Sequence, residues 1–292
     1  MPSTIDSATT RDGIRLLTRH WPAGVPDTDP PQPRHWPEEA PRAAVVIVHG
    51  LGEHSGRYEH VGAQLAAAGL ETFSWDQRGF GASGGERAYV DDFSRYYDDV
   101  ADRLAAARAA LPGRPVVLYG HSLGGLIALG YALSDRTPPD LMVLSAPGLA
   151  DRLATWKHLA APILARIVPR LHIANGIVPT IRSRDEEIQH AVQIDPLVQT
   201  STTAWLGALG FAEQARVRAA ASQLSVHTLV IHAEDDGLVP VKASEALAIV
   251  PGVTRRTYPG LRHELHNEPE GSSVIADVIA WIEWQLGGAH GD

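Results

Sequence analysis

The chain has 292 residues, 44% of them apolar and 20% charged, enough for one large core or a core with an insertion. A formal charge of −9 argues against a nucleic-acid partner, and the absence of cysteine excludes disulfides and thiolate catalysis. The first residues lack the apolar h-region of a signal peptide, and no apolar run approaches the roughly 18 residues of a membrane span, so a cytosolic protein is expected.

The residues "GIRLLTRHW" (13–21) predict a strand after the Asp12–Gly13 turn. Seven prolines over 22–42 predict an irregular surface loop, because proline fixes φ and has no N–H. "AAVVIVHG" (43–50) is a β-branched run of the kind buried on both faces of a parallel sheet. A helix over 56–69, a strand over 70–76 and a long amphipathic helix over 90–113 follow. Next come a strand over 115–120, a helix over 123–133 and a strand over 140–147. Two more strands, 227–236 and 254–260, precede a closing helix over 271–286. This alternation predicts an α/β protein with a mostly parallel central sheet and helices on both faces.

The alternation fails between 150 and 222, where each run reads as helical or irregular. The expected division is therefore a core of 1–149 and 223–292 with a lid inserted at 150–222. Within the lid, 151–171 carries Leu153, Trp156, Leu159, Ala160, Ile163, Leu164, Ile167 and Val168 on roughly one helical face. Pro162 is expected to kink or break that helix. The plain reading is that this stripe packs on the core.

Parallel sheets present ligands at the carboxyl ends of their strands. Ser122 stands at such an end, in Gly120-His121-Ser122-Leu123-Gly124, a G-x-S-x-G turn between a buried strand and a helix. A Cβ at 120 or 124 is expected to crowd the neighbouring strand and helix. A serine hydroxyl needs a base to become a nucleophile, and the base needs an orienting acid. With this turn the chain order is Ser, then Asp or Glu, then His. Asp236, at the Asp-Gly-Leu-Val-Pro turn, is the expected acid, with Asp235 the runner-up. His263, on the loop before the last helix, is the expected base, and His266 lies one turn later. His121 should point away from its serine neighbour, and His232 belongs to a strand. Leu123 and Leu51 are expected to supply the two backbone N–H donors of an oxyanion hole. "GFGASGG" lacks the Lys-Ser/Thr ending of a phosphate loop, and "DQRGFGAS" (76–83) reads as a tight turn under the site. Neither a metal nor another cofactor is expected.

The segments "VHGLGEHSGRYEHV" (48–61), "DQRGFGASGGERAYVDDF" (76–93), "GHSLGG" (120–125), "DPLV" (195–198), "HAEDDGLVP" (232–240) and "YPGLRHELHNEP" (258–269) occur in the order seen in monoacylglycerol lipases. The chain thus resembles that family of the α/β-hydrolase superfamily over most of its length, the proline-rich loop and much of the lid excepted. The resemblance implies release of one acyl chain from glycerol through an acyl-enzyme on Ser122. It implies a glycerol subsite at Glu53, Arg57 and His266, the alternative being an Arg57–Glu53 ion pair at helical spacing. It also implies transient membrane contact through the lid. In place of the tyrosine often found before "DPLV", this chain has Val192. A lysophospholipase or broad carboxylesterase shares the same residues; a non-catalytic binding protein on this scaffold is the more distant alternative.

Overall fold

The computed structural model describes residues 2–24 and 41–288; most of the predicted proline-rich loop, 25–40, lies outside them. The described residues form an eight-stranded sheet in the order β1-β2-β4-β3-β5-β6-β9-β10. Its strands are β1 (Thr4–Thr9), β2 (Arg15–Trp21), β3 (Ala43–Val48), β4 (Leu70–Trp75), β5 (Val116–His121), β6 (Leu141–Ser145), β9 (His227–Ala233) and β10 (Val253–Tyr258). The pairs β1–β2 and β2–β4 are antiparallel and the rest parallel.

The period-2 geometry of a strand explains the layers. In β3, Ala44, Val46 and Val48 point into one core, while Ala43, Val45 and Ile47 point into another. Helices α2 (Ser94–Ala110) and α3 (Leu123–Ala132) cover the first face through Tyr96, Val100, Leu104 and Ile127. Helices α1 (Glu59–Ala67) and α8 (Gly271–Gly288) cover the second through Val61, Leu65, Val274 and Val278. Strand order reverses beside β3: β4 follows it on one side and β5 on the other. Such a switch point opens a crevice at the strands' carboxyl ends, between the turns after β3 and β5.

The inserted segment holds α4 (Thr155–Ile167), α5 (Pro179–Arg182), α6 (Glu186–Ile194) and α7 (Ala204–Ala220). It also holds β7 (His172–Ala174) and β8 (Ser201–Thr203), an antiparallel ribbon where only helical or irregular runs were expected. Three residues per strand are too few to leave a period in the sequence. Pro162 lies inside α4 without ending it. The turn beyond it is held by packing, since Ala165 is buried and α4 lies against α7. The predicted stripe faces outward: Trp156, Leu159, Ile163 and Ile167 are 65%, 72%, 63% and 73% exposed. Packing on the core is therefore excluded for these four side chains. Among the described residues no helix is long and apolar enough to cross a membrane.

Candidate active site

The residues expected to carry chemistry lie on four loops at the carboxyl ends of parallel strands. Ser122 follows β5, Asp236 follows β9, His263 follows β10, and Leu51 follows β3. Ser122 is at φ 53°, the left-handed region that L-residues rarely occupy. The surroundings over-determine that conformation. The Ser122 amide donates to the Ser145 carbonyl at 3.0 Å, and the Ser122 carbonyl accepts from Leu126 and Gly148 at 3.0 and 2.9 Å. A Cβ on Gly120 would overlap the Gly124 carbonyl, and one on Gly124 would overlap the Val48 carbonyl. The expected crowding is thus real, and it arises from backbone, which cannot move aside.

The Ser122 Oγ lies 2.8 Å from His263 Nε2, and His263 Nδ1 lies 2.7 Å from Asp236 Oδ2. The second Asp236 oxygen, Oδ1, accepts from the Leu238 and Val239 amides at 2.8 Å each. That local turn aims the carboxylate at the imidazole. Asp236 is buried and Asp235 exposed, which separates the two candidates. Burial pushes the Asp236 carboxyl up, yet His263, His232 and the Val239 amide together hold it far below the usual carboxylate range. Burial pulls His263 down, and the Asp236 carboxylate outweighs it, with Glu264 and Glu53 adding to a net rise above the ordinary 6.5. The pair is therefore suited to an imidazole that gains a proton during a reaction.

The two residues expected to supply oxyanion amides flank this serine's turn. Leu123 is the first residue of α3, where an amide has no acceptor within its own helix. Leu51 belongs to the turn whose preceding Gly50 approaches so closely that a Cβ there would lie 3.2 Å from the Ser122 Cβ. The 76–83 turn supports that loop from beneath: the Gln77 amide donates to His49 Nε2 at 2.9 Å, and its side chain donates to the His49 carbonyl at 2.6 Å.

Glu53, Arg57 and His266 come together below the serine, in a more enclosed setting than a ligand subsite requires. Glu53 is 2% exposed and accepts from the Gly50 amide, Tyr58 and Arg182 at 3.1, 2.8 and 3.1 Å. The Arg57–Glu53 ion pair of the alternative reading is present at 3.2 Å. Arg57 also pairs with both oxygens of Glu264, at 2.9 and 2.7 Å. Burial pushes the Glu264 carboxyl up, but Arg57 and Arg182 keep it well below the usual range. Among the described residues neither His266 ring nitrogen has a partner, and the ring stacks on Tyr58 at 4.8 Å. Burial and neighbouring His121 hold its pKa well below 6.5, so it is neutral at pH 7. Val192 is buried on α6.

Sequence reasoning missed three supports. His232, assigned only to its strand, also places Nε2 3.3 Å from Asp236 Oδ2. His121 holds Ser145 Oγ at 3.2 Å, its ring centre 4.9 Å from that of His263; burial pushes its pKa down to about 4. Glu264, next to the predicted base, lies in the polar run Arg262-His263-Glu264, where no sequence signal sets it apart.

The chain matches the family model described as serine aminopeptidase, S33, over residues 39–270. It is 34% identical to a monoacylglycerol lipase of Mycolicibacterium smegmatis over 92% of this chain and 93% of that protein. It is 33% identical to the monoglyceride lipase of Homo sapiens over 85% of each. The crystal structure of a Paleococcus ferrophilus monoacylglycerol lipase superposes with a TM-score of 0.76 at 27% identity, covering 92% of this chain and 97% of that one.

Proposed function

The chain belongs to the serine aminopeptidase S33 family of α/β-hydrolases, and on that premise we propose that it is a serine esterase cleaving monoacylglycerols to a fatty acid and glycerol. The observation that carries the reading is the continuous relay from Ser122 Oγ through His263 to Asp236, with contacts of 2.8 and 2.7 Å. His263 takes the Ser122 proton as the oxygen attacks the ester carbonyl. The Leu51 and Leu123 amides receive the developing oxyanion; one such donor is typically worth about 3 kcal/mol. His263 then returns the proton to the departing glycerol oxygen, and a water molecule, activated by the same imidazole, frees the acid. Leu51 and Leu123 act through their amides, so substitution there alters shape rather than chemistry.

The inserted segment 150–222 is the proposed lid, and its outward stripe supports contact with a lipid surface. The glycerol end is assigned to the side of His266, whose buried, unpartnered ring nitrogens can bond a hydroxyl that enters beside the Glu53–Arg57 pair.

A hydrolysis panel tests the substrate. Purified protein is expected to release fatty acid from 1- or 2-monoacylglycerols of C4 to C18 at least about tenfold faster than from lysophosphatidylcholine of equal chain length. A preference for the lysophospholipid would make this a lysophospholipase. For the lid, exchange of Leu159, Ile163 and Ile167 for serine is expected to slow hydrolysis of vesicle-borne monoacylglycerol by about tenfold. A water-soluble p-nitrophenyl ester should be affected much less, and equal losses on both would remove the membrane role.

A further inference from the structure

We propose that Arg182, from the inserted segment, is a positioning residue for His263: held between Glu264 and Glu53, its guanidinium sets the charge balance beside the imidazole. The proposal rests on the esterase reading above and adds to it a connection between the insertion and the base.

The geometry begins with burial. Arg182 closes α5, part of an insertion whose neighbours are largely exposed, yet it is only 3% exposed itself. Its Nη1 donates to Glu264 Oε1 at 2.7 Å and to Glu53 Oε1 at 3.1 Å. Glu264 follows His263 in the chain, and Glu53 binds the amide of Gly50, the residue packed against Ser122. One nitrogen of the insertion thus touches acids from the loops that carry the base and the expected oxyanion donor.

The same segment is laced to the His263 loop on both sides of the imidazole. The Glu264 amide donates to the Arg182 carbonyl at 2.8 Å. Arg262 donates to the carbonyls of Thr180 and Ser183 at 2.5 and 3.2 Å. Ser183 Oγ donates to the Asn267 carbonyl at 2.7 Å, and Arg184 pairs with Glu268 at 2.7 Å. Ile181 packs on Gly237, next to Asp236; a Cβ at Gly237 would come within 2.9 Å of it. These contacts, none of which uses the Arg182 side chain, would hold the loop in place even with an apolar residue at 182. What they cannot supply is charge.

The charges near His263 come from several elements. Asp236 lies after β9, Glu264 and the neutral His266 share its loop, His121 ends β5, and Glu53, Arg57 and Arg182 close the cluster. His232 stands behind Asp236. Within the cluster two guanidinium groups balance two carboxylates. Removing Arg182 leaves an uncompensated anion beside the imidazole. Anionic neighbours favour the imidazolium, so the base holds its proton to higher pH. The rising limb of kcat/KM against pH must then move upward. Removing the Glu264 charge while Arg182 remains must move it downward, and removing both must restore it.

The test is the pH profile of p-nitrophenyl butyrate hydrolysis for four variants of the full chain. Arg182→Met is expected to raise the limb by roughly 0.5–1 pH unit, with KM within about twofold. Glu264→Gln should lower it by a similar amount, and Arg182→Met with Glu264→Gln should return it to the wild-type position. Arg182→Lys should match wild type, because a single ammonium can bridge both acids. If Arg182→Met fails to fold, as judged by circular dichroism and melting, the downward shift in Glu264→Gln and its cancellation in the double variant carry the test. Limbs that stay together in the folded variants, or a double variant that remains displaced, overturn the proposal. The esterase reading is judged separately, by wild-type turnover that depends on Ser122.

Discussion

Ester turnover is expected to fall by about 10^4- to 10^6-fold when Ser122 is replaced by alanine, with the protein staying folded. The size follows from the relay: without Oγ, His263 has nothing to deprotonate and no acyl-enzyme can form. What remains is hydrolysis by water in a site that still orients the ester. The backbone at 122 argues that the fold is spared. Its hydrogen bonds to Ser145, Leu126 and Gly148 use only main-chain atoms. The φ of 53° is no obstacle either, since this chain already holds Ala88 at 47° and Ala146 at 42°. Hydrolysis of p-nitrophenyl butyrate, labelling by a fluorophosphonate probe and a thermal melt decide the matter together. Loss of turnover and labelling with an unchanged melting temperature is the expected result. Turnover kept within tenfold of wild type would remove Ser122 from the chemistry, and the acyl-enzyme with it.

The parts of this site that were legible in the sequence are those encoded over a few residues. The Ser122 turn was readable because its steric demand leaves glycine at 120 and 124, between a β-branched run and a helix. Asp236 was readable because the same short turn both ends a strand and aims the carboxylate. The Arg182–Glu264 contact was not, because its partners are 82 residues apart and meet only once the insertion folds over the core. An arginine in a polar run such as "PTIRSRDEE" looks like a solvated side chain until its burial is known. β1 was missed for a different reason: "TIDSAT" is mostly exposed at a sheet edge, so almost no hydrophobic period is written into it. The outward stripe of α4 shows the opposite failure, in which periodicity revealed a face without saying which way it turns.

Exchange of Asp236 for asparagine tests the orienting acid, and the expected loss is about 10^4-fold in kcat/KM. The structure explains why so small a change should cost so much. Two amides, of Leu238 and Val239, donate to Oδ1, so the amide oxygen of the new side chain must take that position. Its NH2 group is then forced to the place of Oδ2, 2.7 Å from His263 Nδ1, where it donates instead of accepting. The imidazole answers by carrying its own proton on Nε2. That nitrogen faces Ser122 Oγ at 2.8 Å and can no longer accept its proton. The sign of the pH effect follows as well. Asp236 is the main influence raising His263 above 6.5, against the downward pull of burial. Without the carboxylate the imidazole loses its proton at lower pH, so the rising limb of the small residual activity moves down. Asp235→Asn is the control: that side chain is exposed, and its variant should stay within about twofold of wild type. A large loss at 235 with little at 236 would exchange their roles, and an Asp236→Asn enzyme within tenfold of wild type would mean that His263 needs no carboxylate to hold its tautomer.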